Sequence, residues 1–448
     1  MKQTAVLLTL ATVLFLGACG GESNLPVATG KATIRAINAI AASPDVAFLI
    51  EERNIGVVAY RTTSAAVSYD DLDYTFNFDV FYAGDTALTR IASQHIDFVA
   101  KQEYTLLLTG TVASPSLTLW EWAKREFATG ATVFQLRFAQ TSNYFATPVD
   151  YYFAPAGVAP AIGQEVASLS FGEISPPRDF EAGSYVLTIT TAGDPSDILY
   201  TSIETPFIAL VDLIISPFDA TANDLANFTV QALGAQGGST RLSDSNTLAS
   251  VEFLHGAMDL GTSDIYDDDT LLSQVLANHA FTDLSGEIPI TPGDYTFHYV
   301  LAGGTAAITL QGDMVAIPGI RYRFIAGGEN AAFVTAVSVP DRRPIDTAAK
   351  LSILQMSNNF DAIEFFLVNQ GETLDDRILF RQIALPVIPA PPANIAPGNY
   401  DAYVTKFGET DIIAGPVNVN VVVGDVVELM AFDTVDPAVL DLRLIVTP

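Results

Sequence analysis

Four short stretches of this chain repeat one another, and their spacing limits the folds open to it. Thr291-Pro292-Gly293-Asp294-Tyr295-Thr296-Phe297-His298-Tyr299 has counterparts in Glu181-Ala182-Gly183-Ser184-Tyr185-Val186-Leu187, in Ala396-Pro397-Gly398-Asn399-Tyr400-Asp401-Ala402 and, more weakly, in Leu72-Asp73-Tyr74-Thr75-Phe76-Asn77-Phe78. With Phe76, Tyr185, Tyr295 and Tyr400 taken as equivalent anchors, the intervals are 109, 110 and 105 residues. Eight residues after each anchor stands a glycine: Gly84, Gly193, Gly303 and Gly408. A glycine there supplies the positive φ of a tight hairpin turn. A second landmark, at Tyr104, Asp212, Tyr322 and Val427, opens an apolar strand 27 or 28 residues beyond the anchor, and a further strand closes each unit. Helical periodicity is scarce, and Asn, Asp, Gly and Pro clusters interrupt the apolar runs at short intervals. The expected fold is all-β: four tandem immunoglobulin-like antiparallel β-sandwich domains of about seven strands each, at 31–126, 127–236, 237–343 and 344–448.

A hydrophobic content of 49 % over 448 residues is ample for such cores. The charge balance, 21 basic against 51 acidic residues, disfavours a polyphosphate, which needs clustered Lys and Arg, so no nucleic-acid partner is expected. At the amino end Met1-Lys2 is positive, Ala5 to Leu16 is apolar, and Leu16-Gly17-Ala18-Cys19 offers a small-residue exit. This resembles the lipobox of bacterial lipoproteins. The resemblance implies a signal peptide over 1–18, lipid chains (palmitate among them) on Cys19, and a polar tether over 19–30 that holds the protein to a membrane. Gly20 after the cysteine fits sorting to the outer membrane of the cell envelope. A membrane-spanning helix would need about 20 apolar residues, more than this run has. An ordinary cleaved signal leaves the sole cysteine unexplained. With that thiol spent on the anchor, no disulfide is expected.

Chemistry leaves few traces. His95, His255, His279 and His298 share no repeated offset, and no Gly-x-Ser-x-Gly or His-Glu-x-x-His arrangement or phosphate cradle occurs. No cofactor and no His/Cys metal site is expected, and His298 should face outward, opposite Tyr295, Phe297 and Tyr299. The densest acidic run supplies Asp264, Asp267, Asp268 and Asp269, either as hard oxygens for calcium or as a solvated turn; it lacks the alternating spacing of a dedicated loop. Trp120 and Trp122 lie two apart on one face of a strand, so they either stack on a ligand such as a sugar or pack against the next unit. The anchor tyrosines belong in the cores, each hydroxyl reaching backbone. Basic residues gather at two junctions, Lys124-Arg125 and Arg342-Arg343, where they either bridge acidic neighbours or sit as solvated linker charge.

Ile37-Asn38-Ala39-Ile40-Ala41-Ala42-Ser43-Pro44-Asp45-Val46 and the later glycine-tyrosine turn resemble the domain of unknown function 4397, a β-sandwich module of bacterial surface and secreted proteins. Val149-Asp150-Tyr151-Tyr152-Phe153 is similar to that family's alternating Val-Asp-Val-Tyr strand, as is Ile363-Glu364-Phe365-Phe366, whereas the first unit has Ala47 at the acidic place. The resemblance implies a sandwich and no particular activity. The expected function is therefore a non-catalytic envelope lipoprotein that binds or adheres to an envelope protein or polysaccharide. A structural spacer is the alternative. A hydrolase of envelope polymer would require a cleft with two facing carboxylates.

Overall fold

The computed structural model describes residues 27–303, 307–329, 332–375 and 378–447, so Cys19 and the signal segment lie outside the described residues. Each unit is a pair of facing sheets closed around its own apolar core, and no α-helix occurs among the described residues. The glycine-tyrosine turn starts a strand in the middle of the outer sheet: Asp73–Val80, Gly183–Thr191, Gly293–Leu301 and Gly398–Lys406. Alternate side chains of these strands enter the cores, as with Phe76, Phe78 and Val80, or Phe297 and Tyr299. The following hairpin glycines take φ of 98°, 78°, 68° and 76° at Gly84, Gly193, Gly303 and Gly408. A side chain would be strained there.

The tyrosines fasten the turns. Tyr185, Tyr295 and Tyr400 each donate a hydroxyl hydrogen bond to the carbonyl four residues back, on Glu181, Thr291 and Ala396, at 2.8, 2.8 and 2.7 Å. Strand register corrects the equivalence drawn for the first unit. Phe48 pairs Phe78 as Tyr151 pairs Ile189, Ile265 pairs Tyr299 and Phe365 pairs Val404. Four residues back from each stands Tyr74, Tyr185, Tyr295 or Tyr400, so Tyr74 and not Phe76 is the counterpart. The first hairpin is longer, so Gly84 stands ten residues after its tyrosine where the other three glycines stand eight after theirs.

The inner sheet contains one pairing that an all-antiparallel expectation misses. The opening strands Lys31–Asn38, Val133–Phe138, Ala249–His255 and Ala349–Gln355 run parallel to the return strands Gln102–Gly110, Asp212–Asp219, Arg321–Glu329 and Val426–Asp433. The chain leaves the inner sheet, builds the outer one and comes back in the same direction, which is what a crossover permits. In the second unit Thr240–Leu242 adds to the last strand Phe228–Gly234, carrying that sheet past the expected boundary at 236.

The units associate by their inner sheets. Ile37, Leu107 and Trp120 of the first pack with Ala139, Ile214, Phe218 and Leu233 of the second. Leu254 and Ile325 of the third pack with Leu354, Met430 and Phe432 of the fourth. The pairs then stack. Asp224 of the second unit bridges Ile320 of the third, and the linker before the fourth unit bonds to the first through Asp346 N to Ala42 O at 2.7 Å and Ala83 N to Thr347 O at 2.9 Å. Because Ala42 follows the far end of the strand that begins at Lys31, the upper pair lies opposite the point where the chain enters.

Candidate functional site

The outward faces of the parallel strands explain where the charges go. In the lower pair Arg35 sits on the opening strand, with Nη2 3.2 Å from Glu103 Oε1 and 3.7 Å from Asp212 Oδ2 across the seam. Arg137, at the matching place in the second unit, donates to Asp212 Oδ1 at 2.6 Å and to Gln135 Oε1 at 2.9 Å. Two guanidinium groups thus balance two carboxylates in a buried layer, and burial raises the Glu103 pKa above the ordinary carboxylate range. A cleft of about 420 Å³ opens beside this layer and is lined by Glu103, Asp212, Lys124, Arg125 and Phe127.

The two tryptophans belong to this seam. Trp120 is buried among the second unit's apolar residues and donates its indole N–H to Gly172 O at 3.1 Å. The Arg137 guanidinium lies 3.9 Å above the Trp122 ring. Both indoles are taken up by packing on the next unit, so stacking on a sugar would first require the units to part.

The upper seam uses the same strands. Arg323 donates to Glu252 Oε1 at 2.7 Å and to the two oxygens of Glu428 in the fourth unit at 2.8 and 2.6 Å. The junction arginine Arg342 reaches Glu252 Oε2 at 2.6 Å and also pairs with Glu287. Arg343 donates to the carbonyls of Ala41 and Ser43 in the first unit at 3.1 and 2.6 Å. Basic residues at this junction therefore bridge neighbouring units; at the other, Arg125 pairs with Asp179 across half-exposed surface.

The acidic run is divided among local tasks. Asp268 accepts from the amides of Leu272 and Ser273, at 2.9 Å each, and closes its own turn. Asp264 accepts from Asn278 N at 2.8 Å. Asp269 lies 3.0 Å from His298 Nε2. His298 does point away from Phe297 and Tyr299, but it is buried rather than solvated, a correction whose cause is that the acidic loop folds over it. Asp267 donates its amide to Ser273 O. Among the described residues the side chains that gather as a possible ligand set are others: Asp73, His95 and Asp97.

A regularity that strand-by-strand reading passes over lies at the ends of the opening strands. Asn38, His255 and Gln355 each close that strand and Gln140 follows two residues after its end; all four are buried and hold the next loop: Asn38 Oδ1 accepts from Ile40 N at 3.0 Å, and Gln140 Oε1 from Ser142 N at 2.7 Å. Gln355 Nε2 donates to Ser357 O and Phe360 O at 3.1 and 2.6 Å, and His255 Nε2 lies 2.8 Å from Gly261 O. The repeated Gln-x-Ser-Asn of Gln140 to Asn143 and Gln355 to Asn358 is the sequence signal. In both, a terminal aspartate of the return strand, Asp219 or Asp433, accepts from the loop serine and an asparagine side chain. At the far end of the fourth unit this holds Asn359 beside a depression of about 540 Å³ lined also by Phe360, Asp361, Lys406, Phe407 and Pro437. Phe407 is 56 % exposed, and Lys406 Nζ stands 5.6 Å from the Phe360 ring centre.

Residues 32–152 match the family described as Domain of unknown function (DUF4397). The match takes in the first sandwich and the opening strands of the second, well under half of the chain. No curated protein matches. Among solved structures the Bacillus anthracis TIE protein aligns over 91 % of this chain and 69 % of that one, at 11 % identity and a TM-score of 0.16, a superposition that carries no argument.

Proposed function

We propose that this chain is a non-catalytic lipoprotein of the bacterial cell envelope, held at the outer membrane through lipid on Cys19, which presents the far end of its fourth unit to an envelope polysaccharide. The observation that carries the reading is the depression around Phe407. An exposed ring beside an amide, a carboxylate and an ammonium group is the chemistry that a sugar's apolar face and hydroxyls match. Its place opposite the chain's entry supports contact with something beyond the membrane. Co-sedimentation of the protein with purified envelope polysaccharide tests this. Phe407→Ala is expected to weaken binding by roughly tenfold, the scale of one aromatic contact. Unchanged binding in that variant overturns the assignment. For the anchor, Cys19→Ala should abolish incorporation of a labelled fatty acid.

The buried seams favour a second reading, a spacer whose units are locked together to hold one end away from the membrane. The hydrolase reading finds two carboxylates, Glu103 and Asp212, on one cleft. Each is within ion-pair distance of a buried guanidinium, so both carboxylates are engaged in holding the seam together.

A further inference from the structure

We infer that Asp73, His95 and Asp97 form a binding site for a divalent cation of the zinc type, on the outer sheet of the first unit. Asp73 lies on the turn strand, and His95 and Asp97 lie two apart on the strand Thr89–Asp97, so all three side chains leave the same face. Asp73 is the direct cross-strand partner of Asp97, and Thr75 that of His95. One donor atom from each residue lies within 4.8 Å of the other two, and His95 Nε2 is 3.2 Å from Asp97 Oδ1.

The other end of this hairpin shows why the arrangement calls for a ligand. There Asp79 faces Arg90, which donates to it at 3.0 Å and also pairs with Glu52 at 3.1 Å. Opposite charges meet across the strands, as sheet stability requires. At the Asp73 end two carboxylates meet instead, an arrangement that destabilises a cross-strand pair unless positive charge stands between them. The neighbouring group is an imidazole, a metal ligand. An imidazole nitrogen and carboxylate oxygens are both donor types that zinc takes, and three protein ligands would leave a fourth position for water. Calcium is disfavoured, because it takes six to eight oxygens and this site has an imidazole and two carboxylates. The two paired strands fix the three backbone positions, leaving the exposed side chains to close around a metal.

The test is titration of the full chain, stripped of metal, with zinc chloride alone, followed by calorimetry and by thermal unfolding. Saturable binding at one equivalent is expected, with a rise in the unfolding temperature of the first unit. His95→Ala and Asp97→Asn should each weaken binding on the order of tenfold or more, since they remove ligands and not merely supporting groups. Cobalt in place of zinc should give visible absorption bands that His95→Ala removes. The three side chains are exposed, so the variants should unfold at the wild-type temperature in chelator, separating lost binding from lost folding. Absence of saturable zinc binding, or equal affinity in His95→Ala and wild type, overturns the site.

Discussion

The two seams occupy the same strands of the same fold yet distribute charge differently. In the lower one both arginines, Arg35 and Arg137, stand on opening strands, with the acids at the starts of the return strands. In the upper one the opening strand of the third unit carries Glu252, its direct partner on the return strand is Arg323, and the fourth unit answers with Glu428. What persists is neutrality of the buried layer, because an unmatched buried charge costs several kcal/mol whichever sign it has. What varies is which strand supplies the cation. The contacts also differ in quality: Arg323 makes three hydrogen bonds to carboxylates, whereas Arg35 stands at 3.2 and 3.7 Å from its acids.

The strongest way to break this comparison is to remove one cation from each seam. Arg323→Ala strands Glu428 and should cost about 3–5 kcal/mol of upper-pair stability in chemical denaturation. Arg35→Ala should cost less, because Arg35 stands farther from its acids than Arg323 does and burial raises the Glu103 pKa, easing proton uptake once the cation is gone.

Acid should separate the pairs next. Burial pushes His279 down to about 4 and lowers its neighbour His255, which meets Phe281 edge-on, as Phe281 in turn meets Phe432 at the upper seam. A histidine that binds its proton less readily folded than unfolded makes the native state lose stability as pH falls from about 6.5 towards 4. The loss should be about 2 kcal/mol once solvent screening is allowed for. Glu103 has the opposite sign: its raised pKa favours the folded lower pair as pH falls towards 4.5. Both tryptophans lie in the lower seam, so their fluorescence reports that pair alone. On acidification the far-ultraviolet dichroism should decline before the tryptophan signal shifts; simultaneous loss would mean that the two pairs unfold as one.

Gly327 sharpens the comparison further. A Cβ on it would lie 2.4 Å from Val387 Cγ2 of the fourth unit, so Gly327→Val should destabilise the upper seam by about 1–3 kcal/mol through overpacking. The tryptophan-detected transition should not move. Smallest is Tyr400→Phe, which removes the bond to Ala396 O and should cost about 1 kcal/mol, again confined to the upper pair.

The unit count and the β class were legible because they rest on local chemistry: glycine at a positive-φ turn, tyrosine beside it, apolar alternation. Register was less so, as Tyr74 shows, since a hairpin can lengthen without altering its strands. The seams were not legible. Arg35, Glu103 and Asp212 are single polar residues in apolar strands; parallel pairing brings Glu103 to the strand beside Arg35, and only the packing of the two units brings Asp212 to them. Likewise Asp73 and His95 are far apart in sequence and become neighbours through hairpin register. The spacing of Trp120 and Trp122 is local, but what covers them is a property of the next unit.

The bonds from Arg343 to Ala41 and Ser43 also set an order of assembly. A chain delivered amino end first can complete the lower pair before the fourth unit exists, while those two carbonyls stay hydrated. The closing contact spans some 300 residues, yet the entropy of closing a loop grows only logarithmically, by about 0.6 kcal/mol for each doubling of its length. Prior folding of the second and third units, which lie between the two ends, shortens the effective loop still more. Docking of the two pairs is therefore a late step between preformed bodies, and refolding should show a final phase that tryptophan fluorescence does not see.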